Sequence, residues 1–140
     1  MSDRFFLDTN IFASSFDKSA SKKAKLAGDL IRKAVETGNG IVSYQVVQEF
    51  FNVALRRFAD PMSYADAEQY LSVTFRPLLA AFSSQALYAH ALQLASRHQF
   101  AWYDALIVAS AIGGECAILY SEDFQNGQRF GELRIQNPFV

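Results

Sequence analysis

"RFFLDTNIF", residues 4–12, carries three apolar side chains straight into a carboxylate, a hydroxyl and an amide. A compact apolar run ended by polar residues reads as a short buried strand, here over residues 4–8. Asp8 then stands at the carboxyl end of that strand. An acid in such a place is solvated, caps a turn or helix, or faces something positive. Which of these holds depends on where the other acids fall.

Outward from this strand the pattern changes. From Ser19 to Thr37 it predicts a helix, because Leu26, Ala27, Leu30, Ile31, Ala34 and Val35 recur at the spacing that lines one helix face. Gly38 suits the left-handed residue that closes a helix. "GIVSY" (40–44) is a second strand, and a helix follows through Phe58, stopped by Asp60-Pro61. Ser63 and Asp66 form a capping pair for a helix running to about Phe75, with Pro77 beyond it. "LLAAFS" (78–83) is a third strand, residues 85–98 a helix, and "WYDALIVASAIGG" (102–114) a helix apolar almost all round. "AILYS" (117–121) is a further strand, and residues 133–136 are expected to add an edge strand. Strands alternating with helices require crossover connections, hence a mainly parallel sheet covered on both faces.

In an open parallel sheet, ligands bind beyond the carboxyl ends of the strands, where the strand order reverses. Asp8 follows the first strand, and Glu122 and Asp123 follow "AILYS". Glu49 lies on the helix leaving "GIVSY", on a polar line with Gln45, Asn52 and Arg56. Asp104 opens the most apolar helix, either as its cap or as part of a site. Four segments can thus deliver carboxylates to one edge of one sheet. Two like charges about 4 Å apart repel by roughly 4 kcal/mol at an effective dielectric of 20, so such a cluster needs a cation or shared protons. Oxygen donors without a Cys or a His pair favour a hard ion, Mg²⁺ or Mn²⁺. Thr9, Asn10 and Ser121 are placed to tie down the carboxylates or a metal-bound water.

The totals set limits. The 140 residues, 51% hydrophobic and 14% aromatic, suffice for one sizeable core and argue against disorder, so residues 1–140 are expected to form a single domain. With 13 basic and 14 acidic residues the net charge is -1, which excludes a protein that coats nucleic acid by bulk charge. One cysteine, Cys116, allows no intrachain disulfide. No signal-peptide pattern and no membrane-length apolar stretch is present, so a cytoplasmic protein without a membrane segment is expected.

These residues resemble the PIN-domain ribonucleases. The likeness rests on "LDTNIF" (7–12), "SYQVVQEF" (43–50), "WYDALIVASA" (102–111) and "LYSEDF" (119–124), in that family's order, and extends over essentially the whole chain. The length resembles the toxin half of a VapBC-type toxin–antitoxin pair. The resemblance implies a three-layer α/β/α sandwich and divalent-metal-dependent cleavage of RNA. It assigns the family's acidic quartet to Asp8, Glu49, Asp104 and Asp123, its hydroxyl to Ser121 and its amide to Asn10. Glu122 is an additional acid beside the matched position, which leaves the division of roles between Glu122 and Asp123 open. A homodimer and a small antitoxin protein are the partners it implies.

Other residues have two readings each. The cluster Lys18, Lys22, Lys23, Lys25, Arg32, Lys33 is a solvated helix face or a track for a phosphate backbone. Arg56, on the Glu49 line, is the better candidate for a phosphate contact. Trp102 and Tyr103 are expected to pack beside Asp104, with stacking on a base as the alternative. His90 and His98 are expected on a helix surface, and Cys116 in the core. The aromatic residues Phe50, Phe51, Phe58 and Tyr70 are expected to leave apolar surface for a partner. A phosphatase of the haloacid-dehalogenase type also begins with a post-strand Asp but typically places a second Asp two residues later, where this chain has Asn10. The remaining alternative is a PIN-like module that binds RNA or protein without chemistry.

Overall fold

The protein is described here from a computed structural model covering residues 2–140. Its sheet has six strands: β1 (Phe5–Leu7), β2 (Gly40–Ser43), β3 (Leu79–Ala81), β4 (Ile118–Tyr120), β5 (Arg129–Phe130) and β6 (Leu133–Gln136). They lie in the order β3-β2-β1-β4-β6-β5, all parallel except β5, which runs antiparallel to β6. β1 is central, with Phe5 opposite Gly40 on one side and Ile118 on the other. Every residue of β1 and β2 is buried, as a strand covered on both faces requires. Helices flank the sheet in a three-layer α/β/α sandwich, the expected class.

The helices are α1 (Thr9–Ser14), α2 (Ser21–Thr37), α3 (Tyr44–Ala54), α4 (Tyr64–Tyr70), α5 (Arg76–Leu78), α6 (Gln85–His98) and α7 (Trp102–Gly113). α2 ends on Gly38 at φ 72°, the left-handed closure that the glycine predicts. α4 is capped by Ser63, whose Oγ accepts from Asp66 N at 3.1 Å. In α7 every residue from Ala105 to Ala111 is buried, which explains its lack of a polar face.

Four expectations change. α1 is additional, a single short helix beginning directly after β1 with Asp8 as its cap. α3 stops at Ala54 instead of reaching Phe58. Eight further helical residues would carry Phe58 about 12 Å along the axis from Phe50. Instead the chain turns back, with Arg57 N and Phe58 N both donating to Val53 O, and the Phe58 ring packs 5.9 Å from that of Phe50. The helix expected to end near Phe75 continues through a π-helical turn (Leu71–Phe75) into α5, which contains Pro77. Proline removes a donor and crowds the carbonyl four residues back, and the widened turn before it accommodates that defect. Finally, β6 is an interior strand between β4 and β5, so the edge on that side is β5.

The core is aromatic. Phe6, Phe12, Phe50 and Phe75 are fully buried, and burying each contributes about 1.5–3 kcal/mol. Phe12 lies 4.8 Å and Phe50 5.3 Å from Phe75, so α1, α3 and the π turn close over one another. Phe50 therefore offers nothing to a partner, and Phe51, Phe58 and Tyr70 pack against the core. The exposed apolar side chains of this region are Phe16, Tyr64, Leu71 and Val73 instead.

Candidate active site

The strand order reverses between β1 and β4, and the residues following these two strands meet there. Asp8 N donates to Tyr120 O at 3.1 Å, which docks the end of β1 against β4. Asp8 is buried, at 5% exposure. Its Oδ1 accepts from Thr9 N and its Oδ2 from Ser121 Oγ, each at 2.7 Å. One carboxylate thus caps α1 and is braced from the end of β4. Its pKa is nonetheless raised to about 7, mainly because burial penalises its charge. The hydrogen bonds from Ser121 and Thr9 oppose the rise, and the nearby Asp123 and Glu49 add to it.

α3 delivers Glu49, whose Oε1 accepts from Thr9 Oγ1 at 2.9 Å and from Gln45 Nε2 at 3.4 Å. Thr9 therefore links the first two acids, donating its backbone N–H to one and its hydroxyl to the other. Asp104 is not the cap of α7: the cap position belongs to Ala101, and Asp104 stands in the first turn. Burial raises its pKa. Asp123 is held through its backbone, its N–H donating to Ser121 Oγ at 3.1 Å. Its pKa is raised by burial first, then by the charges of Asp104 and Glu122. Asn10 turns its carboxamide toward Asp123, pulling the other way, yet both polar atoms of that amide are buried without a well-formed hydrogen bond.

Asp8, Thr9, Asn10, Gln45, Glu49, Asp104 and Asp123 line one cavity of about 270 Å³, with Ala13, Val53 and Ile107 as its apolar wall. The four acids expected together are brought together, and Ser121 braces two of them from beneath. Glu122 is not in that cavity. It pairs with Lys23 of α2 at 2.8 Å, and Lys23 also lies 4.9 Å over the Phe139 ring. Because α3 ends early, Arg56 is not carried on the Glu49 face; it is exposed and lines no part of the cavity. Its neighbour Arg57 lines an adjoining groove with Lys18, which shares Ala13 with the carboxylate cavity. Sequence reasoning gave Arg57 no role, since its placement depends on the turn that ends α3.

The remaining candidates are dispersed. Lys25 and Arg32 both pair with Asp29, Lys18 with Asp60, and Lys33 covers the Phe5 ring, so much of the basic run is engaged locally. His98 packs against Phe100 and Phe130, and neither histidine reaches the cavity. Cys116 is core, its thiol pushed up to about 12 by burial. Tyr103, expected to pack beside Asp104, is instead 62% exposed.

All-oxygen donors suit a hard divalent cation that keeps some of its water. Burial first, and the neighbouring acids second, disfavour the charged forms of Asp8 and Asp123 in the absence of a cation. As the side chains stand, no three acids among the described residues are close enough to enclose an ion. The oxygen-only donor set suits a hard divalent cation, while the described side chains as placed form no ready cage for one.

An α/β/α sandwich with carboxylates gathered at the reversal of a parallel sheet defines a class of acid-lined, sheet-edge sites. The PIN domain family model matches residues 5–128, and the chain belongs to that family. Among solved structures, a toxin–antitoxin complex from Klebsiella pneumoniae is similar over 95% of this chain and 96% of its own, at 17% identity and a TM-score of 0.65. VapC20 of Mycobacterium tuberculosis, a sarcin-ricin-loop-cleaving toxin, is similar over 93% and 98%, at 20% identity and a TM-score of 0.63. VapBC2 from Rickettsia felis, bound to a DNA fragment from its promoter, is similar over 95% and 97%, at 16% identity and a TM-score of 0.64. These likenesses concern the fold. A comparison by sequence with curated proteins gives no match.

Proposed function

We propose that this protein is a divalent-metal-dependent endoribonuclease, the toxin of a toxin–antitoxin pair. The observation that carries the reading is the convergence of Asp8, Glu49, Asp104 and Asp123, from four separate segments, on one cavity at the sheet's reversal point. Family membership and the toxin structures it resembles in fold support it.

Asp8, Glu49, Asp104 and Asp123 would hold the ion. A bound Mg²⁺ or Mn²⁺ lowers the pKa of its water and neutralises a phosphodiester under attack. Asp8 is the fixed member, since both its oxygens accept one hydrogen bond and each keeps a further lone pair. With its pKa raised to about 7, Asp8 would have to release its proton to hold a cation near neutral pH. Thr9 and Gln45 orient Glu49, and Ser121 sets the loop that carries Asp123. Asn10 has two unused polar atoms facing the acids, suited to orient the attacking water or a phosphate oxygen. Arg57, lining the groove that adjoins the cavity, and its exposed neighbour Arg56 are the cations we assign to a phosphate of the RNA.

The second reading, a binding module without chemistry, is favoured by the absence of a ready three-acid cage among the described residues. The purified protein should cut single-stranded RNA in Mn²⁺ and cease in excess chelator. Cleavage undiminished by chelator would overturn the metal mechanism, and no cleavage under either condition would favour the binding module.

A further inference from the structure

Beside the carboxylate cavity lies a second groove of about 350 Å³, and Gln45 lines both. Its walls are aromatic: Tyr44, Phe82, Tyr88, Trp102 and Tyr103. Tyr44 meets Phe82 edge to face at 4.9 Å, and Tyr88 lies 6.0 Å from Trp102. Four of these rings remain open to solvent, from 42% for Tyr44 to 62% for Tyr103. No charged residue lines the groove.

Its floor is polar and unsatisfied. Ser43, 4% exposed, holds a buried hydroxyl with no partner, at the point where the β2–β3 register shifts. Such irregularities re-aim side chains next to active sites. Gln45 donates its amide to Tyr103 O at 3.1 Å and to Glu49, while its Oε1 is buried and unpartnered. Buried polar atoms are normally paired, with protein or with water, so these two atoms are available to a ligand that displaces water from the groove.

The occupant must be neutral and flat-faced, with hydrogen-bonding groups on its edge, and it must be continuous with whatever fills the carboxylate cavity. A nucleobase meets all four conditions, and single-stranded RNA presents its bases for stacking on aromatic side chains. We propose that this groove binds the nucleobase flanking the scissile phosphodiester, stacked on the exposed rings, with its edge hydrogen-bonded by Ser43 Oγ and Gln45 Oε1. The inference rests on the ribonuclease reading of the neighbouring site. Every base has a face to stack and an edge N–H to donate, so the groove positions the strand more than it selects a sequence.

The test is cleavage of a single-stranded RNA in Mn²⁺, with the cut position first mapped for the wild-type protein. Stacking of one base is worth about tenfold or more, so Tyr103→Ala and Phe82→Ala should each lower kcat/KM by roughly that factor. Tyr103→Phe, which keeps the ring, should restore it. Wild-type protein acting on RNA with an abasic ribose beside the cut should lose a similar factor, and the Tyr103→Ala variant should lose nothing more on that substrate. Ser43→Ala should weaken kcat/KM while leaving the melting temperature unchanged or raised, because it removes an unsatisfied group. Trp102 is the only tryptophan in the chain, so quenching of its emission by RNA reports occupancy directly. Wild-type cleavage with unaffected variants would overturn the groove and leave the ribonuclease standing. Variants that lose self-association but cut RNA normally would make the groove an interface between copies. A wild-type protein that cuts no RNA would overturn both readings.

Discussion

Asp8 serves as helix cap, anchor for Ser121 and buried acid at once, and these roles conflict in the absence of a cation. Its folded pKa, about 7, lies above the 3.8 of an unperturbed aspartate, so between those values the folded state holds a proton that the unfolded state has released. Stability in chelator therefore falls as pH rises through that window, by on the order of 4 kcal/mol for Asp8 alone. Thermal melts in chelator at pH 5 and pH 8 should show the decline, and Asp8→Asn should flatten it. A wild-type melting temperature that rises from pH 5 to pH 8 would contradict the raised pKa. Asp104 gives a second case. It makes no cap, so Asp104→Asn removes charge from the acid cluster and should melt at the same or a higher temperature in chelator. The variant should also gain less stability from Mn²⁺ than wild type, since ligand-linked stabilisation follows affinity, and should cut RNA far more slowly. Full activity with lower stability would remove Asp104 from the site. At this scale the sequence was legible wherever an acid followed a readable strand, as with Asp8 and Asp123. It left the roles of Glu122 and Asp123 undivided, because whether the Glu122 side chain turns to the cavity or to Lys23 depends on where α2 packs. Tyr103 was misread because an aromatic beside an apolar helix looks like core, and only the helix rotation shows it open.

Among the elements, β2 and α2 approach closely. A Cβ placed on Gly40 would overlap the Cβ of Ala34 and lie 2.8 Å from its Cα, a backbone atom that cannot swing aside. Gly40→Ala should therefore cost about 2–3 kcal/mol, the upper part of the range for overpacking, measured by urea denaturation at a pH where Asp8 is protonated. A variant as stable as wild type would show that α2 shifts freely on the sheet. Long periodic helices such as α2 and α6 were readable because their apolar stripes outlast local ambiguity. α1 escaped notice because its six residues share their first polar group with the strand before it. β5, two residues long, carries no pattern at all. The turn after α3 was hidden for a different reason: Phe58 stands at helical spacing from Phe50 and Ala54, and only packing against Phe16 and Phe50 favours folding back.

For the whole molecule, near-neutral charge would govern how the proposed RNA substrate is met. With a net charge of -1 and four acids in the cavity, few phosphates can be neutralised at once. For single strands the logarithmic salt slope is about −0.7 per phosphate, so RNA affinity should fall with a slope no steeper than about −2. A slope beyond −4 would point to an extended basic track along α2 and revive the phosphate reading of its lysines. Exposed Tyr64, Leu71 and Val73, next to a 500 Å³ cavity lined in part by Phe16, Met62 and Tyr70, form the apolar face available to another chain. Sedimentation should find a homodimer, and a small partner should co-purify from cells. A monomer at high concentration with no partner would count against both. The layered architecture was legible because alternating strands and helices admit few parallel topologies, while the surface facing partners leaves no periodic trace in one chain.

The hydrogen bond from Ser121 to Asp8 joins residues 113 positions apart. During synthesis, the first acid therefore leaves the ribosome long before the strand that braces it. A nascent chain ending at Gly113 already contains three of the four acids but lacks β4, so β1 has only half its neighbours and Asp8 neither Ser121 nor Asp123. Assembly of the acid cluster is thus among the last events of folding, and incomplete translation products lack the finished cluster. For the nuclease activity proposed above, the order in which the chain emerges would keep unfinished copies inert.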